Sequence, residues 1–152
     1  MVARVLDGLI VERELMRDSS EDDRAGLLLA GLESDLLTCL TGRERLNSIR
    51  LIVAAGQRDA VRAAHRCRPR VAVVNRQLSD GDGLRLTSLL KEITPDLTVI
   101  ATGEGRDARE EVEAYASGAS LYLPQPLDAE LLAQVIVSCL ERAGQYFRTT
   151  VA

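Results

Sequence analysis

Aromatic side chains are scarce in this sequence: it has three tyrosines, one phenylalanine and no tryptophan. A platform for stacking single-stranded bases needs such rings on a basic surface. The chain is not basic either, with a formal net charge of -4 and a pI of about 5.1. Together these speak against direct nucleic-acid binding by this chain. Lysine is nearly absent, Lys91 being the only one. Cysteine occurs at positions 39, 67 and 139, too far apart for a CxxC or another metal-binding spacing. Cys39, Cys67 and Cys139 are expected to be small buried hydrophobes in a reducing cytoplasm. No apolar run reaches the length of a membrane span, and no basic-then-apolar leader opens the chain. The expectation is a cytoplasmic protein with no membrane contact.

What is present fits one domain with a short extension: 152 residues, 46% hydrophobic and 28% charged. In residues 1–24, Val2, Val5, Leu6, Leu9, Ile10 and Leu15 recur at helical spacing, and Ser19, Ser20, Glu21, Asp22 and Asp23 form a polar linker. That helix either packs on the flank of the domain or binds a partner. From residue 25 apolar runs alternate with helical patterns. Strands are predicted at 26–30, 49–54, 71–74, 97–101 and 120–123. Helices are predicted at 35–46, 58–67, 84–93, 107–117 and 128–143. Gly26, Leu27, Leu28, Leu29 and Ala30 form a continuously apolar run, as in a strand covered on both faces. The alternation predicts an α/β domain over 25–143, with a parallel five-stranded sheet, right-handed crossovers and a tail at 144–152.

In such folds function gathers beyond the carboxyl ends of the strands, where strand order reverses. After the third strand come Asn75, Arg76, Gln77, Leu78, Ser79, Asp80, Gly81, Asp82 and Gly83; after the fourth come Thr102 and Gly103. Around the fifth the chain reads GASLYLPQPL, from Gly118 to Leu127. With Asp82-Gly83 and Thr102 at their separations, this resembles the receiver domains of two-component response regulators, nearest to those of the nitrogen-regulator type. The resemblance covers about residues 26–142. It implies a doubly wound, flavodoxin-like receiver fold.

The resemblance also implies what chemistry to look for. Such domains take a phosphoryl group on an aspartate after the third strand. Acids after the first strand hold Mg²⁺, and a lysine after the fifth neutralises charge. A threonine after the fourth strand moves with a switch aromatic. Metal and lysine are needed because phosphoryl transfer is mostly positioning and charge stabilisation. Here the acceptor position carries Asn75, whose amide cannot form an acyl phosphate, and the lysine position carries neutral Gln125. The acidic pair is replaced by Leu32 and Glu33, or by Ala30 and Gly31 if the strand shifts by two residues. Lys91 lies on a helix and cannot replace the missing lysine. Asp80 and Asp82 are turn residues in a run rich in turn formers. Thr102 and Tyr122 match the switch pair, and the resemblance implies a cis peptide before Pro126.

No Cys/His or Ser/His/Asp signature supports a nucleophile. His65 is read as a partly exposed helix residue, and Gly81-Asp82-Gly83 lacks the spacing and lysine of a phosphate loop. No enzyme activity, cofactor or metal is therefore expected. The reading is a non-catalytic signalling module in transcriptional or other control, acting through protein partners without aspartyl phosphorylation. The alternative is a small-molecule sensor that uses the vacated pocket.

The last helix carries an apolar sweep of roughly 240° at about 100° per residue, wider than one sheet contact requires. The sector of Ala133, Ile136, Val137 and Leu140, with Tyr122 nearby, is therefore expected to meet a second copy in a homodimer. The competing covers are the 2–15 helix and neighbouring loops.

Overall fold

The computed structural model describes residues 26–43, 46, 49–105 and 108–151, with 143–151 described by backbone only. The 1–24 helix and linker lie outside the described residues. Five parallel strands make the sheet: β1 (Gly26–Ala30), β2 (Arg50–Ala54), β3 (Val71–Asn75), β6 (Thr98–Gly103) and β7 (Leu121–Pro124). Their order is β2-β1-β3-β6-β7. Five helices cover the sheet: α1 (Ser34–Thr41), α2 (Gln57–Cys67), α3 (Gly83–Ile93), α4 (Ala108–Ala116) and α5 (Ala129–Val151).

Strand order reverses between β1 and β3, so the crevice at their carboxyl ends is where a site belongs. Successive strand side chains point to opposite faces, which sorts the core. Leu28, Ala30, Ile52, Ala72, Val74 and Val99 meet α2 and α3 on one face. Leu27, Leu29, Val71, Val73 and Ile100 meet α1 and α5 on the other. Every residue of β1 is buried, as expected for a central strand with helices on both sides.

Between β3 and α3 the chain adds a small antiparallel ribbon of β4 (Gln77–Leu78) and β5 (Gly81–Asp82). Both acids here have capping duties beyond a simple turn. Asp82 accepts the Leu84 N–H at 2.9 Å and caps α3. Asp80 reaches across to α2 and accepts the backbone N–H groups of Gln57 (2.6 Å) and Arg58 (3.3 Å). Those two donations hold its carboxyl below the ordinary range. A side chain on Gly56 would collide with this carboxylate, since a Cβ there would lie 2.3 Å from Asp80 Oδ1.

Three expectations need correction. Helix α5 does not stop at Ala143 but continues to Val151, so 144–151 is helix and not tail. Gly144 costs a helix only about 1 kcal/mol relative to alanine, which is too little to end it. Cys39 is exposed on the outer side of α1, whereas Cys67 and Cys139 are buried, and burial pushes the Cys139 thiol up.

The third correction concerns the wide apolar sweep of α5. Ala133 and Ile136 are 1% and 0% exposed within this one chain, so neither is available to a second copy. They pack with Leu37 and Leu40 of α1, and Val137 and Leu140 are half-buried against the same cluster. An Arg43–Glu130 ion pair ties the end of α1 to the start of α5. The sweep is wide because α5 serves two partners inside the domain, the sheet and α1. Among the described residues the large apolar groups that stay exposed are Val112 and Tyr115 on α4 and Leu131 on α5.

Candidate functional site

Asn75 ends β3, half-buried at the point of strand reversal. Its Nδ2 donates to the Gly31 carbonyl at 3.0 Å, and its Oδ1 accepts the Gln77 N–H at 3.2 Å. The amide thus clips the end of β1 to the β4–β5 ribbon, using a donor that a carboxylate lacks. Gly31 sits directly against it with φ +75°, where a Cβ would fall 2.5 Å from Leu78 Cδ2 and 3.3 Å from Asn75 Cβ. A side chain at position 31 would be strained by this left-handed φ and would have to push the Leu78 side chain aside, so an acid is disfavoured there. Leu32 and Glu33 come next in the loop and face a cavity instead.

That cavity has a volume of about 430 Å³ and is lined by Leu32, Glu33, Leu36, Asn75, Glu104, Gln125, Pro126 and Leu127. The structure therefore brings together four of the expected pocket residues: Leu32, Glu33, Asn75 and Gln125. The Gln125 backbone N–H donates to Gly103 at 2.7 Å, and the Gln125–Pro126 peptide is cis. Neither the Gln125 nor the Glu33 side chain finds a partner among the described residues. A smaller polar recess of about 230 Å³ adjoins it, sharing Asn75, Glu104 and Gln125 and adding Arg76, Gln77, Gly103 and Glu110.

Among the described residues positive charge is scarce at this site. Lys91 donates to the Pro95 and Leu97 carbonyls at 2.7 and 2.8 Å and serves the α3–β6 connection. Arg76 lines the recess, but it pairs with Glu113 at 3.1 Å and with Glu110 at 3.6 Å. Asp80 is committed to capping α2 and supplies no acid here. Among the described residues no group of three or more His, Cys, Asp or Glu could hold a metal ion. No helix among them is long and apolar enough to cross a membrane.

Thr102 and Tyr122 sit on adjacent strands, Thr102 on β6 and Tyr122 on β7. Thr102 is fully buried, and the buried hydroxyls of both residues have no hydrogen-bond partner among the described residues. The Tyr122 hydroxyl lies beside the Glu110 carboxylate and interacts with it. Burial first, and that carboxylate second, push its pKa up to about 12. Glu104 and Glu110 were not expected at the site. Glu104 follows Thr102 by two residues, and a reading carried one residue beyond Gly103 would have found it. Glu110 arrives from the next helix and leaves no local trace in sequence.

Residues 34–137 match the family described as the response regulator receiver domain. Among curated proteins, a DNA-binding transcriptional regulator NtrC from Proteus hauseri is 33% identical over 90 residues. The match covers 59% of this chain and 18% of that protein, so the chain spans under a fifth of the length of the curated relative it matches. A two-component response regulator from Clostridium difficile has a TM-score of 0.71 at 22% identity, covering 79% of this chain and 98% of the other. NtrX from Brucella abortus has a TM-score of 0.70 at 23% identity, covering 84% of this chain and 29% of the other. At these identities the structural neighbours speak for the fold alone.

Proposed function

This chain belongs to the response regulator receiver domain family, and on that premise we propose that it signals without aspartyl phosphorylation, through contact with protein partners. The observation that supports this most is the Asn75 amide. Its nitrogen lone pair is delocalised and makes a poor nucleophile, and the group is already used as a clip between Gly31 and Gln77. The surroundings agree with that reading. The left-handed φ at Gly31 disfavours an acid there, Gln125 is neutral, and Arg76, the guanidinium among the described residues that line the recess, is held by two carboxylates. A transferring phosphoryl group would find little to stabilise its charge.

In the proposed role the chain is a cytoplasmic, non-catalytic module whose conformational balance is biased by whatever binds one state better. A transcriptional setting is proposed from the likeness to NtrC, and nucleic-acid contact is not assigned to this chain. A contact between copies, if made through α4 and α5, uses exposed Val112, Tyr115 and Leu131 in place of the sector that α1 covers. The test is addition of beryllofluoride with millimolar Mg²⁺ while backbone amide shifts are followed by NMR. The expected result is no saturable change at Asn75, Thr102 or Gln125. Saturable shifts at all three would overturn the reading.

The cavity favours one second reading, a small-molecule sensor. Its volume of about 430 Å³ is in the range of ligand pockets, and it presents apolar walls with unpartnered Glu33 and Gln125 side chains. A ligand bound there raises thermal stability with concentration. A metabolite screen by thermal shift, repeated on Gln125→Ala, separates this reading from the first.

A further inference from the structure

Glu110 is a charged side chain with only 8% exposure, and its surroundings account for that. Its Oε1 accepts the Glu104 N–H at 3.0 Å and its Oε2 accepts the Gly105 N–H at 3.2 Å. Both donors belong to the loop that leaves β6 just after the switch threonine. Two amides converging on one carboxylate form charge-assisted hydrogen bonds, the stronger kind. Arg76 adds a guanidinium nitrogen at 3.6 Å.

Arg76 is itself well anchored. Its N–H donates to Thr102 at 2.8 Å and its carbonyl accepts from Gly83 at 2.7 Å. The carboxylate therefore joins the end of β3, the loop after β6 and the first turn of α4.

The space it fills is specific. A Cβ on Gly103 would lie 1.9 Å from Glu110 Oε1 and 2.9 Å from the Tyr122 hydroxyl. Only glycine at position 103 lets the carboxylate reach the loop amides and lie against Tyr122. The buried, unpartnered hydroxyls of Thr102 and Tyr122 flank this point.

We propose that Glu110 is a built-in latch: its carboxylate, seated in the gap at Gly103 and held by Arg76, fixes the loop after β6 and the position of Tyr122. The switch state is then set by the Arg76–Glu110 contact, and no phosphoryl group at position 75 is required. This rests on the reading of Asn75 given above, but its test does not use phosphorylation. Labelling of the chain by a phosphodonor would sink that reading and leave the measurements below to decide the latch by themselves. Glu110 acts here as a positioning residue, and the accessible end of the latch is Arg76, whose side chain is 36% exposed against 9% for Glu110.

The test is a double-substitution cycle on the whole chain with Gly103→Ala, Glu110→Ala and the pair. Two readouts are needed: NMR hydrogen exchange at the Glu104 and Gly105 amides, and solvent accessibility of the Tyr122 ring by photo-CIDNP. Exchange at core β3 amides serves as the reference for global stability. Each single substitution is expected to speed loop-amide exchange at least ~10-fold beyond the core change, as loss of bonds to a charged acceptor implies. Each should also make the Tyr122 ring more accessible. The pair should behave nearly like Glu110→Ala alone, because with the carboxylate gone the alanine at 103 loses its 1.9 Å overlap and keeps only the 2.9 Å approach to the Tyr122 hydroxyl. Should Glu110→Ala fail to fold, Glu110→Gln takes its place, retaining one acceptor and giving a smaller effect. Additive effects in the cycle, or an unchanged Tyr122 ring when the loop amides are freed, would overturn the latch.

Discussion

Replacing Asn75 by aspartate would give the chain the nucleophile that the receiver resemblance implies, yet the structure predicts a loss. The Asn75 Nδ2 donor meets the Gly31 carbonyl at 3.0 Å. In Asn75→Asp that contact sets a carboxylate oxygen against a carbonyl oxygen, and position 31 carries a glycine in place of an acid that would recruit a cation. Losing one such bond costs about 0.5–1.5 kcal/mol, and a half-buried carbonyl left unpaired adds to it, so the expected penalty is about 1–2 kcal/mol. For a domain of this size that lowers Tm by roughly 2–8 °C. The sign with pH follows from the same contact. The new carboxyl is better placed when protonated, because its O–H can donate to Gly31, so its folded pKa lies above the unfolded value of about 3.9. Stability then falls as pH rises through that window, and the penalty is full at neutral pH and shrinks in acid. Urea unfolding of both proteins at pH 7.5 and pH 4.5 measures it. A variant as stable as the wild type at pH 7.5, or one whose deficit grows in acid, would refute the reasoning.

Three further outcomes are expected. Ile136→Ala should cost about 2–5 kcal/mol, as cavity-forming changes in a core do, and leave the mass by light scattering unchanged; a change of mass with no loss of stability would restore the sector to an interface. Tyr122, raised from 10.0 to about 12, makes the folded state hold a proton that the unfolded chain releases, so stability should fall between these pH values. Glu110→Gln should flatten that fall, read by urea unfolding across the alkaline range. Asp80→Ala should lower Tm at pH 7 and have little effect below the ordinary carboxylate range, because a carboxylate with a lowered pKa stabilises only while the folded state keeps it ionised.

Much of the fold was legible in the sequence because strand and helix periods are local. The run from Gly26 to Ala30 reads as a strand covered on both faces, and it lies between β2 and β3 under helices on each side. The pocket was legible at Asn75 and Gln125 because both fall at fixed distances from the ends of strands. The surface of α5 was misjudged for a physical reason. A wide apolar sweep tells how many partners a helix has, but not whether the second is α1 of the same domain or another molecule. Asp80 looked like a turn residue because the donors it accepts from, the amides of Gln57 and Arg58, are more than twenty positions away. Glu110 was invisible for the same reason: its environment exists only once α4 folds back over Gly103.

The central claim is that the receiver carries its signal without an acyl phosphate. Incubation of the intact chain with acetyl phosphate and Mg²⁺, followed by whole-protein mass spectrometry, tests it most directly. The account predicts no added phosphoryl group on the wild type. It also predicts none on Asn75→Asp, where the nucleophile returns but Gln125 and Gly31 still leave the developing charge without a lysine or a metal site. A phosphoryl adduct on the wild type, stable in acid-quenched samples and lost on treatment with hydroxylamine, would contradict it.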